Sequence, residues 1–310
     1  MLNKSTVTPK GWLAFELNVL RRLQFKTAAL PLTGETNLGA YLKRSGIKVL
    51  ANDVMQWSWT KAVADIQNNG ETLDDEGLAV ILEDAYVPRY RLQNAALRNW
   101  FNETDAWWFD NVRQNIEKLE SPITRAIALS VGIGVGDYVL SFTEETLELR
   151  QPLSNVYKRL SSIKPHPVNN GQNNPCSNKS INEFVAENYP DLMFLRLPRA
   201  HNLSLRESLG KKAWREEWLR LNDEFWDALE AEQTGKLGTH VETKFQYLRL
   251  VEDILRTAAH IETWAIAHVE DSFISTQDIV ETISRVRRVD TIFTKDFSEL
   301  TGTKAVIITA

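Results

Sequence analysis

The clearest chemical pattern in this 310-residue chain is a glycine-bearing turn followed at a distance by an acid. Gly34 and Gly39 lie in Pro31-Leu32-Thr33-Gly34-Glu35-Thr36-Asn37-Leu38-Gly39, and Asp53 comes 19 positions after Gly34. Glycines let a chain leaving a strand turn tightly and bring its backbone against a ligand. A carboxylate about 20 residues on is spaced to hold ribose hydroxyls. The chemistry implied is the grip of an α/β sheet on a nucleotide-like cofactor, with Thr33, Gly34, Thr36, Gly39, Asn52 and Asp53 as the contacts. Thr36 stands in mid-turn where a glycine is expected. A β-branched residue is an outlier at positive φ, so the turn either has another shape or has lost its tight approach to the ligand. Asp53 has a second reading, as the acid that caps the helix after its strand.

Other ionisable groups point less far. His260, Glu262, His268, Glu270 and Asp271 cluster in the chain, but the strand pattern at Trp264 to His268 keeps the imidazoles off one helical face. They match no standard ligand spacing, and no metal site is expected. No nucleophile-elbow motif anchors a Ser-His-Asp set. Arg206, Glu207, Lys211, Lys212, Arg215, Glu216, Glu217, Arg220 and Glu224 alternate in sign at helical spacing, which predicts a solvated face or a partner-helix surface. Gly132-Ile133-Gly134-Val135-Gly136 lacks the strand–helix setting of a phosphate loop and reads as a small-residue turn or close helix contact.

Composition bounds the class. With 43% hydrophobic and 25% charged residues the chain is a soluble globular protein, and a net charge of -5 gives it no global footprint of a nucleic-acid binder. A local basic patch built from Arg89, Arg91 and Arg98 is compatible with that balance. Cys176 is the only cysteine, no secretory leader opens the chain, and no uninterrupted apolar run approaches the roughly 18–20 residues that span a bilayer. A cytoplasmic protein with no membrane partner is expected. Most of the ten tryptophans fall in amphipathic patterns and are expected to pack in cores.

The elements that would position these residues alternate at first. Apolar spacing predicts a helix over 11–23, a strand over 27–32, a helix over 39–45, a strand over 47–51 and a helix over 54–68. Residues 72–160 are helical in pattern, with 86–91 as a loop and a helix at 103–118, and 161–180 form a polar, Pro- and Asn-rich loop. Beyond it come a helix at 181–187, a strand at 192–195, long helices at 203–232 and 241–259, and a strand at 264–268. A helix at 276–287, opened by a Ser275/Asp278 capping box, then precedes strands at 289–296 and 304–309. The pattern predicts an α/β fold of about seven strands, mostly parallel with a terminal antiparallel hairpin.

On these motifs the chain resembles the adenine-specific DNA methyltransferases of the Dam-like type. Residues 31–39 are similar to the family's first motif, Pro-Phe-x-Gly-x-Gly-x-x-Gly, and 40–53 to its helix, strand and acidic end. Arg89-Tyr90-Arg91-Leu92-Gln93-Asn94 and Asp110-Asn111-Val112-Arg113-Gln114-Asn115-Ile116 resemble patterns of its recognition region. The resemblance implies a Rossmann-like class I methyltransferase sheet from 1–71 and 181–310, with 72–160 as a helical insert contacting double-stranded DNA through Arg89, Arg91 and Arg98. It implies S-adenosylmethionine as the cofactor, against whose binding the altered turn argues.

The catalytic motif departs from the family. Where Asp-Pro-Pro-Tyr is usual, this chain has Arg196-Leu197-Pro198-Arg199. Arginine carries donors and no acceptor, so Arg196 cannot accept a hydrogen bond from a target amine, and its charge opposes the cation that develops there. Arg199 retains a plane that can stack on a base. The resemblance therefore implies a catalytically degenerate DNA- or protein-binding subunit of a modification or defence system, paired with an active methyltransferase or nuclease. The alternatives are an active methyltransferase with divergent motifs and a nucleotide or small-molecule sensor using the cleft around Gly34, Gly39 and Asp53.

Overall fold

The structure, a computed structural model, describes residues 11–297 and 304–310. Helix α1 (Trp12–Leu20) precedes strand β1 (Thr27–Leu30), α2 (Asn37–Arg44) joins it to β2 (Lys48–Asn52), and α3 (Gln56–Ala62) follows, ending in a π-helical turn at Val63–Gln67. Helices α4 (Asp75–Leu82), α5 (Glu103–Ile116), α6 (Pro122–Leu140) and α7 (Leu153–Ile163) then separate β2 from β3 (Cys176–Ser177). α8 (Ile181–Glu187) leads to β4 (Leu192–Arg196). α9 (Leu205–Leu209), α10 (Ala213–Arg220), α11 (Trp226–Gln233) and α12 (Lys244–Thr257) lie between β4 and β5 (Thr263–Glu270). α13 (Thr276–Ser284) precedes β6 (Thr291–Asp296) and β7 (Lys304–Thr309).

The strands form one seven-stranded sheet in the order β3-β2-β1-β4-β5-β7-β6. β1 to β5 are mutually parallel, and β7 is antiparallel to both β5 and β6, as the hairpin pattern predicts. β4 reads as an unbroken apolar run because the sheet is covered on both faces. Its side chains alternate: Leu192 and Phe194 pack with α1 and α2, while Met193 and Leu195 pack with α8, α12 and α13. The chain runs outward from β1 to β2 and β3 on one side and to β4 and β5 on the other. The carboxyl ends of β1 and β4 therefore flank a topological switch point, the place where open α/β sheets receive ligands.

A third core, outside these two layers, gathers α4 to α7 with Met55 and Trp57 and with the segment Leu205–Leu229. Gly132 and Gly136 explain how it closes. A Cβ at Gly132 would lie 2.3 Å from the Trp218 ring, and one at Gly136 would lie 2.2 Å from the Trp214 ring, so α6 accepts two indoles where it has no side chains. The glycine run is thus a close helix contact inside α6. That helix is the one described segment long and apolar enough to cross a bilayer, and half of its apolar window is buried within the protein.

Three expectations change. The helix expected over 203–232 is broken into α9, α10 and α11, with Leu221 in the left-handed region at φ 65°. The polar loop at 161–180 contains β3, which Trp59 Nε1 ties down by donating to the Cys176 carbonyl. The mixed-charge stretch, expected as a solvated face or partner-helix surface, is not exposed throughout: Glu207, Lys211 and Glu224 are exposed, while Arg215, Glu216 and Glu217 are buried.

Candidate functional site

The turn after β1 is held from beneath. Gly34 sits at φ 56°, where no neighbouring atom would meet a Cβ, so conformation and not crowding requires glycine there. Its N–H donates to Asp53 Oδ2 at 2.8 Å, and its carbonyl lies 2.8 Å from Ser58 Oγ. Asp53 also faces Ser58 Oγ (2.8 Å) and accepts from the Met55 N–H (3.0 Å), next to α3. Burial pushes the Asp53 carboxyl up from the ordinary range against these three donors. Its acceptor positions are turned onto the chain itself. Asn52 is occupied likewise, donating to the carbonyls of Pro31 and Lys179 and accepting from the Lys179 N–H.

Thr36 resolves in favour of a reshaped turn. Its φ is -77°, an ordinary value, and its hydroxyl donates to Asp65 Oδ2 at 2.6 Å. Asp65 in turn pairs with Lys164 at 2.7 Å, so the π-helical turn links this loop to the end of α7. At Gly39 a Cβ would lie 2.4 Å from Ile66, so the glycine serves packing between α2 and the π-turn. Thr33 is buried with its N–H on the Asn52 carbonyl.

Helix α10 covers the same turn from above. Glu35 pairs with Lys61 and with Arg215 Nη1 (3.1 Å), and Arg215 forms a bidentate pair with Asp137 (3.0 and 2.6 Å). Burial opposes the Glu35 charge, but the two cations outweigh it and hold the carboxyl down to about 2. The Arg215 guanidinium lies 4.7 Å from the Trp57 ring centroid, with the ammonium groups of Lys61 and Lys212 each at 5.9 Å. Glu216, fully buried, accepts from the N–H groups of Gln56 and Trp57 and so caps α3, whose own N-cap residue Met55 has no side chain to do it. Glu217, also fully buried, receives the indole N–H groups of Trp100 and Trp226 and pairs with Arg206.

At the end of β4 the geometry is an ion pair. Arg196 Nε and Nη2 meet Glu16 Oε1 and Oε2 at 2.6 and 2.7 Å, and Glu16 also receives the Trp12 indole N–H. Glu16 is fully buried in α1, while the Arg196 side chain is 30% exposed. Leu197 continues toward β5, donating to the Ala267 carbonyl, and the Pro198 carbonyl accepts from the Tyr247 hydroxyl at 2.7 Å. Arg199 is exposed.

The residues of the expected sites fall in two places. Thr33, Gly34, Asn52, Asp53 and Arg196 meet at the switch point, where Arg196 Nη1 lies 3.5 Å from the Thr33 carbonyl. Arg89, Arg91 and Arg98 lie in the helical region: Arg89 donates to Gln114, Arg98 is paired bidentately with Glu103, and Arg91 is exposed. Two open cavities, of about 370 and 350 Å³, lie away from the switch point, against Arg150 and along α12. Glu16, Glu35, Arg215 and Glu216 shape the strand ends without having been expected there. Only the alternation of charge around Arg215 and Glu216 marked them, and it suggested the opposite environment. No family model matches the chain, and no curated protein matches it either.

Proposed function

We propose that this chain is a catalytically degenerate adenine-specific DNA methyltransferase-like protein, with a Rossmann-like class I methyltransferase sheet and a helical insert, acting as a DNA- or protein-binding subunit of a DNA modification or defence system. The observation that carries the reading is the Arg196–Glu16 pair. At the end of β4, where amine methylation calls for an acceptor aimed at the target nitrogen, the chain has a donor-only guanidinium locked onto a buried carboxylate. The order of the sheet, with β7 antiparallel between β5 and β6, agrees with the motif resemblance.

The strand-end turn supports the same reading for the cofactor. A ribose would have to compete with the Gly34 and Met55 N–H groups and Ser58 for Asp53, while Glu35 and Arg215 are fastened across the turn. Purified protein should transfer no labelled methyl from S-adenosylmethionine to unmethylated DNA and should give no heat with the cofactor in calorimetry. Transfer would favour the active-enzyme alternative. On the binding side, Arg89→Ala with Arg91→Ala should weaken retention of a labelled duplex, and an unchanged affinity would remove 72–160 from DNA contact.

A further inference from the structure

The outer face of α12 carries a stripe that the rest of the described fold leaves open. Phe245, Leu248, Arg249, Glu252, Asp253 and Arg256 recur at three- and four-residue spacing and so share one side of the helix. The opposite side, with Tyr247, Val251, Ile254 and Leu255, is buried against the sheet. Phe245 is 72% exposed, and the stripe together with Arg285 of α13 lines an open groove of about 350 Å³. Glu252 is satisfied within the chain by Arg256 and Arg285. Arg249 and Asp253 are exposed and, among the described residues, neither has an ion pair.

We propose that this stripe is the contact between two copies of the chain, α12 packing antiparallel on α12 of the partner about a two-fold axis. A two-fold contact needs a surface complementary to itself. In an antiparallel pair, positions whose numbers share one sum face each other. An axis at the level of Val251 sets Arg249 against the partner's Asp253, and the same pair recurs on the other side of the axis. The two residues left without partners in one chain thus satisfy each other in two. Phe245 then falls opposite the partner's Thr257, one position from the partner's Arg256 and within reach of its guanidinium, and is withdrawn from water. A 14-residue helix spans about 21 Å, so the interface is at the small end of specific contacts and the dimer depends on concentration.

Sedimentation of the full chain across the micromolar range tests this. The mass should rise from 35.4 kDa toward twice that value. Arg249→Asp makes both facing positions acidic and Asp253→Arg makes both basic, so each variant alone should stay monomeric with unchanged circular dichroism and Tm. An equimolar mixture should dimerise, because each acid then meets a base. A wild type monomeric at every concentration, a single variant that dimerises like wild type, or a mixture that stays monomeric would each overturn the proposal.

Discussion

The ends of β1 and β4 lie side by side, and each holds a charged group in a different manner. Beside the β1 turn the acid expected from the sequence is present, yet Asp53 is buried and faces donors from its own neighbourhood. At β4 the charged group is Arg196, and its charge is matched by Glu16 from α1. The acid is engaged by donors close to it in the fold, and the arginine by a counter-charge 180 positions away in the sequence. Residue type alone does not say whether either group is free: availability to a ligand depends on which donors and acceptors are already engaged.

The largest test of this contrast is Arg196→Ala. It strands Glu16, fully buried, with the Trp12 indole as its one remaining partner among the described residues, and should lower unfolding free energy by about 3–5 kcal/mol in urea titration. Glu16→Met with Arg196→Met should cost far less than Arg196→Ala, because both charges leave together. A double variant as damaged as the single one would mean that the pair has a role beyond mutual compensation. Asp53→Asn comes next. It keeps the shape but replaces one acceptor oxygen by a donor facing other donors, and should cost about 1–3 kcal/mol by the same measurement. A neutral result would show that Asp53 is free for a ligand.

The smallest effect separates Asp53 from Glu35 by the sign of its pH dependence. The Glu35 carboxyl is held down to about 2 from 4.5, so its stabilisation is complete above about pH 4.5 and is lost as pH falls toward 2. The Asp53 carboxyl is raised, so its contribution falls as pH rises from the ordinary carboxylate range through the raised value. Tm profiles should show Glu35→Gln flattening the acid limb and Asp53→Asn removing the loss on the side of higher pH. Because Glu35 is partly exposed and screened by solvent, its effect should be below about 1 kcal/mol. Profiles that change with the same sign would break the comparison.

Much of the fold is legible from local pattern. The apolar runs of β1, β2 and β4, the Ser275/Asp278 capping box and the strands at 291–296 and 304–309 follow from spacing within about ten residues. Charge pattern was not legible in this way. α10 and α12 both alternate arginine with glutamate, yet Arg215, Glu216 and Glu217 are buried cross-links and Arg249, Asp253 and Arg256 face solvent. What separates them is the glycine face of α6, which lets Trp214 and Trp218 sink in and carries the charges between them inside.

The sequence by itself determined the order of strands and helices apart from β3 and the breaks between α9, α10 and α11, the glycine at the left-handed position of the turn and the donor-only side chain at the end of β4. Each depends on a residue and its near neighbours. Tertiary structure alone decided which groups meet: Glu16 reaches Arg196 and Arg215 reaches Glu35 across 180 positions each, and Glu216 caps α3 from 160 positions away. A buried charge must find a partner, but its spacing in the chain does not say where; only the packing that buries it does.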